Sequence, residues 1–266
     1  MDIRGSERKK HFVLVHGACH GAWCWFRVAT LLESSGHKVT ALDLAASGVH
    51  PKQPQDLESI AEYVEPLLEF LGGLGEGERV VLVGHSMGGL VLSMAMERFP
   101  ENIAVAVFAA AVMPGPDLTY HSILEEHSRR VEYNMDPMYR FDDGPEQAPT
   151  YISFGYNFLA SKVYQLSPPE DLTLASYLGR PFRLCPDQDK MKEEIAVTRG
   201  KYGLVRRVYI VCDQDLLLME GLQRWMAERN PPDEVKVISG SDHMVMFSKP
   251  LELCASLEEI GRHYCS

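Results

Sequence analysis

Ser86 lies in Gly84-His85-Ser86-Met87-Gly88-Gly89, between the apolar run Val80-Val81-Leu82-Val83 and a helical pattern from Leu90 to Phe99. A strand, a sharp turn and a helix, with serine at the turn, form the G-x-S-x-G arrangement in which a strained backbone lifts a nucleophilic hydroxyl clear of a sheet. Glycines are needed there because a Cβ at either flanking position would crowd the strand and the helix. The turn also places Ser86 at a helix N-terminus, where the backbone N–H of Met87 can donate to a developing oxyanion.

A serine hydroxyl is a poor nucleophile at neutral pH. It needs a base to take its proton, and the base needs an acid to fix its tautomer. On turns of this kind the order along the chain is serine, acid, histidine, with the acid after a late strand and the histidine in a loop after the last one. Seven of the ten histidines precede residue 122, His127 falls in an irregular middle region and His263 in a terminal helix. That leaves His243, five residues past Ile238, as the base. Asp213 and Asp215 both follow the strand ending at Cys212, and spacing divides the acid evenly between them. Asp242 adjoins the base, and neighbours on a chain point apart, so it reads as a loop cap. The second oxyanion donor comes from the loop after an early strand, where Ala18 follows His16-Gly17. With the base assigned, His16 reads as structural.

The elements that must position these residues follow from periodicity. Phe12-Val13-Leu14-Val15 is a strand buried on both faces, and a helix over 22–34 and a strand over 38–43 come after it. Apolar residues at intervals of three and four predict a helix from Leu57 to Leu71, with Pro66 inside it. After the Ser86 turn and its helix, Ile103 to Met113 starts as a strand, Arg207 to Cys212 and Glu234 to Ile238 are strands, a helix spans 219–228, and a last helix runs over 251–264. Strands alternating with helices predict an α/β class with a mostly parallel central sheet flanked by helices. From about 116 to 186 the alternation fails, and aromatics and methionines such as Tyr133, Met135, Met138, Tyr139, Phe141, Tyr151, Phe154, Tyr156 and Phe158 replace it. This predicts one domain, 1–266, with core segments 10–115 and 187–264 and an inserted, mainly helical cap.

The formal net charge of −11 over 266 residues, with no basic stripe, argues against nucleic acid or an anionic membrane as partner. Only the start, Arg4 to Lys10, is rich in positive charge, and no apolar segment long enough for a signal peptide follows it. The six cysteines show no C-x-x-C spacing, so no zinc cage or dithiol site is expected, and reduced thiols in a cytoplasmic protein are the simplest account.

Three stretches carry a resemblance: Lys10-His11-Phe12-Val13-Leu14-Val15-His16-Gly17-Ala18-Cys19-His20-Gly21-Ala22-Trp23, the run from Gly36 to Gly48, and Asp242-His243-Met244. They resemble the plant methylesterases of the α/β-hydrolase fold, close relatives of the α-hydroxynitrile lyases. The resemblance implies a carboxylesterase that cleaves methyl esters of small plant acids, such as salicylate, jasmonate or indole acetate, through an acyl-enzyme. It implies Ser86 as nucleophile, His243 as base, Asp215 rather than Asp213 as acid, and Ala18 with Met87 as oxyanion donors. It also implies a small-molecule ester as partner, no cofactor and no metal, and a homodimer, since family members are often dimers. The lyases carry threonine, glutamate and lysine where this chain has Gly17, His85 and Met244. These three are therefore expected to line the substrate pocket and to set esterase against lyase chemistry. The remaining alternative is a hormone-binding protein without turnover.

Overall fold

The long apolar runs become the middle of one sheet. Its first four strands are β1 (His11–Val15), β2 (Lys38–Leu42), β3 (Val80–Ser86) and β4 (Ile103–Ala111). Three short strands follow, β5 (Pro137–Arg140), β6 (Tyr151–Phe154) and β7 (Phe182–Arg183), before the sheet resumes with β8 (Arg206–Cys212) and β9 (Glu234–Ile238). The spatial order of the main sheet is β2-β1-β3-β4-β8-β9, and every pairing in it is parallel. The chain is described here by a computed structural model over residues 9–130, 136–142, 144, 146–185 and 187–265. Arg4, Tyr133, Met135 and Pro186, and the side chain of Met138, lie outside the described set.

Both faces of the sheet are covered, and the two-residue period divides its side chains between them. Val13, Val15 and Leu82 pack with Val64 and Leu67 of the helix Ile60–Gly72 and with Leu90 of the helix Gly88–Arg98. Phe12, Leu14, Val81 and Val83 pack on the other side with Val28 and Leu32 of the helix Phe26–Ser34 and with Leu253 and Leu257 of the helix Pro250–Tyr264. From β1 the chain goes outward to β2 and then returns to β3 on β1's other side. The loops after β1 and β3 leave the sheet at this reversal, and a crevice at the strand C-termini is where sheets of this class bind ligands.

Two expectations shift in detail. The helix expected from Leu57 starts at Ile60, because Ser59 takes the N-cap position and its side chain accepts from the Glu62 N–H, while 54–56 form a separate 3-10 turn. The region expected to be mainly helical does contain helices at Tyr120–Arg130 and Pro169–Leu178, but it also holds a three-stranded antiparallel sheet, β5-β6-β7. These strands have two to four residues each, too few for alternation to register in sequence. Among the described residues no helix is long and apolar enough to cross a membrane.

Candidate active site

Ser86 ends β3 with φ +55°, a left-handed conformation that costs a non-glycine residue on the order of 1–3 kcal/mol and is held only when its surroundings over-determine it. The surroundings are tight. A Cβ on Gly84 would come within 2.9 Å of the Gly88 carbonyl oxygen, and one on Gly88 within 2.9 Å of the carbonyl oxygens of Val15 and His16. The turn is thus wedged between its own helix and the end of β1, and Ser86 remains partly exposed at the rim of the sheet.

His243 and Asp215 meet beside the same turn, the His243 ring 4.6 Å from the ring of His85. His243 Nδ1 lies 2.7 Å from Asp215 Oδ2, and both residues are buried. Oδ1 of Asp215 accepts from the backbone N–H groups of Leu217 (2.7 Å) and Leu218 (2.9 Å), so the leucine run after the acid folds back and cradles its carboxylate. A carboxylate only accepts, so Nδ1 carries the imidazole proton and Nε2 is left bare to act as a base. Asp213 turns away, its Oδ1 accepting from the Gly240 N–H at 2.7 Å. Asp242 caps its own loop through the Met244 N–H (3.0 Å) and accepts from Leu166 N–H and the Ser167 hydroxyl. Among the described residues the Ser86 hydroxyl makes no hydrogen bond, an arrangement common before substrate closes the site.

His85 joins the Ser86 turn to His243. Its Nε2–H donates to the His243 carbonyl at 2.8 Å, and the two rings are 4.6 Å apart. Its Nδ1 is buried and has no hydrogen-bond partner among the described residues, beside Gly17, where a Cβ would stand 3.2 Å from that nitrogen and 2.7 Å from Ser86 Cβ. Glycine at position 17 therefore lets the loop after β1 pass against Ser86. Met244 is fully buried.

The candidate oxyanion donors come from the two strand ends. Met87 is the N-cap of the helix Gly88–Arg98 in αR geometry, and Ala18 lies in the loop after β1. His16 has the structural place expected of it: its Nε2 accepts from the Leu44 N–H at 3.1 Å, and its Nδ1–H donates to the Gly17 carbonyl at 2.8 Å. Three residues of the site, His20, Tyr164 and Gln223, went unassigned from sequence. His20 bonds the Ala18 carbonyl and the Tyr164 hydroxyl. Gln223, fully buried, bonds the Cys212 N–H and carbonyl and the Leu218 carbonyl, and reaches Asp215 Oδ2 at 3.4 Å. Position alone offered no signal for them: His20 and Tyr164 lie 144 positions apart, and Gln223 sits in a helix of charged residues that reads as surface.

Burial lowers the pKa of His16, lowers that of His20 to about 4, and lowers that of His85 well below the ordinary range, so all three are held neutral. In an unfolded chain a histidine titrates near about 6.5. Below that pH the unfolded state binds more protons than the folded one, so the stability these groups confer is complete above about 6.5 and is lost as pH falls toward about 4. The midpoint of urea unfolding should fall progressively across that window. A midpoint constant from about pH 6.5 to 4 would mean that the imidazoles titrate as they do in water.

The sequence pattern of the alpha/beta hydrolase family fits residues 12–257. The chain is 58% identical over 260 residues to methyl jasmonate esterase 1 of Vitis vinifera, covering 97% of this chain and 99% of that one. It is 46% identical over 258 residues to salicylic acid-binding protein 2 of Nicotiana tabacum, with 96% and 98% covered. Among solved structures, tomato methylketone synthase I complexed with 2-tridecanone matches with a TM-score of 0.92 at 46% identity, over 96% of this chain and 99% of that one.

Proposed function

The chain belongs to the alpha/beta hydrolase family, as one of its plant methylesterases, and from that premise we propose that Ser86, His243 and Asp215 hydrolyse the methyl ester of a small plant acid, with methyl jasmonate as the first candidate. The observation that carries the reading is the 2.7 Å bond between His243 Nδ1 and Asp215 Oδ2 beside a serine held at positive φ. Ser86 Oγ attacks the ester carbonyl carbon while His243 Nε2 takes its proton. The N–H groups of Ala18 and Met87 receive the carbonyl oxygen as it becomes an anion. Collapse of the tetrahedral intermediate breaks the bond to the methoxy oxygen, which leaves as methanol with the proton from His243. Water, deprotonated by His243, then attacks the acyl-enzyme, and the second tetrahedral intermediate breaks its bond to Ser86 Oγ, which takes the proton back from His243 as the acid leaves. Asp215 stays ionised and stabilises the imidazolium in both halves.

The choice of acyl group rests on the 58% identity to a methyl jasmonate esterase across nearly the whole chain. The described part of 116–186 serves as a cap on a single domain, bonded to the core through His20, Gln214 and Asp242. Among the described residues the cysteines form no disulfide, which suits a reducing cytoplasm. Gly17 offers no hydroxyl to hold a cyanohydrin, and the uncharged, buried Met244 offers no cation to a departing cyanide.

A screen over methyl esters of plant acids at fixed enzyme concentration tests this. Methyl jasmonate should give acid and methanol in equal amounts, and mandelonitrile should give no cyanide above background. Cyanide release at a rate rivalling the best ester hydrolysis would place the protein with the lyases.

A further inference from the structure

The loop after β1 is gripped at three successive carbonyls. Gly17 O accepts from His16 Nδ1–H at 2.8 Å, Ala18 O lies 2.9 Å from His20 Nδ1, and Cys19 O accepts from the Arg180 N–H at 3.2 Å. Cys19 itself sits at φ +63°, a conformation that a residue with a Cβ keeps only under external constraint. The Gly17 and Ala18 carbonyls belong to the two peptide planes that meet at Ala18, and holding both planes fixes the direction of its N–H.

Four consecutive residues beyond β6 reach the loops that carry the chemistry. The Tyr164 hydroxyl is 2.6 Å from His20 Nε2, in the loop of Ala18. Gln165 Nε2 donates to the Gln214 carbonyl at 2.7 Å, next to Asp215. Leu166 N–H and the Ser167 hydroxyl donate to Asp242 Oδ2 at 2.9 and 2.8 Å, next to His243. We propose that Tyr164–Ser167 is a brace that sets the three catalytic loops relative to one another, and that Tyr164 acts through His20 as a positioning residue for the Ala18 amide. This rests on the reading of Ala18 as an oxyanion donor.

The direction of the Tyr164–His20 link follows from what each atom can do. A carbonyl oxygen only accepts, so His20 Nδ1 carries the proton and donates to Ala18. Burial keeps the ring neutral, so Nε2 is bare and must accept. The hydroxyl of Tyr164, itself buried, is therefore the donor. The chain runs Tyr164 O–H to His20 Nε2, then His20 Nδ1–H to the Ala18 carbonyl. Both rings are locked by packing: His20 stacks on Trp23 with centroids 5.3 Å apart, and Tyr164 on Phe247 at 5.8 Å. Without the phenol hydroxyl, a buried imidazole nitrogen loses its donor, and the other tautomer, with Nδ1 bare, no longer holds Ala18.

The test is Tyr164→Phe in the full chain, with kcat and KM measured on a methyl ester that the unmutated protein hydrolyses. Binding is measured for two probes: a trifluoromethyl ketone, whose serine adduct places an anion in the oxyanion hole, and the product acid, which does not need it. Displacing one donor by a fraction of an ångström should lower kcat about tenfold. KM should stay within about twofold, ketone affinity should fall by the same factor as kcat, and acid binding should hold. His20→Asn, whose amide nitrogen takes the place of Nδ1, should keep most of the activity that His20→Ala loses. Unchanged kcat and ketone affinity in Tyr164→Phe, with the ketone still adding to Ser86 in the unmutated protein, would overturn the brace and leave the serine mechanism standing. Equal losses for ketone and acid would also overturn it, by showing general loosening. Failure of the unmutated protein to form the ketone adduct would instead remove the oxyanion reading and the brace with it.

Discussion

Replacing Ser86 by alanine is expected to remove ester turnover, with kcat down by about 10,000-fold or more, while the product acid still binds within about twofold. The loss is large because the hydroxyl is the attacking atom. The variant should fold, since alanine has the same Cβ that the turn already accommodates at φ +55° and the deleted oxygen makes no hydrogen bond among the described residues. Asp215, His243 and His85 keep their mutual bonds, which do not pass through residue 86. A thermal midpoint within a few degrees of the unmutated protein, together with lost turnover of p-nitrophenyl acetate, is the combination to look for. Full activity in the variant would remove the serine mechanism.

The parts of this site that were legible in sequence are those written locally. Val80 to Val83 followed by Gly84-His85-Ser86-Met87-Gly88 encodes strand, turn and helix within a few residues, and the structure has each of them. His243 was singled out by chain order, and the structure brings its loop to the Ser86 turn through the contact between His85 and His243. The choice between Asp213 and Asp215 was not legible from spacing. Both leave the end of β8 two residues apart, and what separates them is a hydrogen-bond pattern: one carboxylate is wrapped by Leu217 and Leu218, the other tied to Gly240 across the turn. Gln223 was hidden for a different reason. A glutamine in a charged helix reads as surface, yet this one faces inward and is fully buried, bonded to the end of β8. His20 was visible as a residue but not as a role, since its partner Tyr164 lies 144 positions away, and the bond from His85, expected only at the pocket, to the His243 carbonyl spans 158 positions. The small sheet β5-β6-β7 escaped because strands of two to four residues carry too little pattern to compete with neighbouring helical signals.

The two aspartates that spacing left even are expected to separate widely on mutation. Asp215→Asn should cost about 10,000-fold in kcat, and Asp213→Asn no more than about threefold. An asparagine at 215 has one oxygen and one NH2 to place. Three donors face the present carboxylate from the protein side: the N–H groups of Leu217 and Leu218 at Oδ1, and Gln223 Nε2 at Oδ2. The oxygen will take the Oδ1 position, where two backbone donors at 2.7 and 2.9 Å would otherwise be left unpaired, at about 1–3 kcal/mol each. The NH2 then points at His243 Nδ1. Two donors cannot share that bond, so Nδ1 must become the bare nitrogen and the proton moves to Nε2. His243 then faces Ser86 with a proton already in place and cannot accept another, and nothing remains to stabilise an imidazolium. At Asp213 the same substitution keeps an oxygen for the Gly240 N–H, and no catalytic group touches it. Turnover of one methyl ester by both variants, with circular dichroism to confirm folding, settles the assignment. A larger loss for Asp213→Asn than for Asp215→Asn would move the acid to Asp213 and undo the tautomer argument for His243.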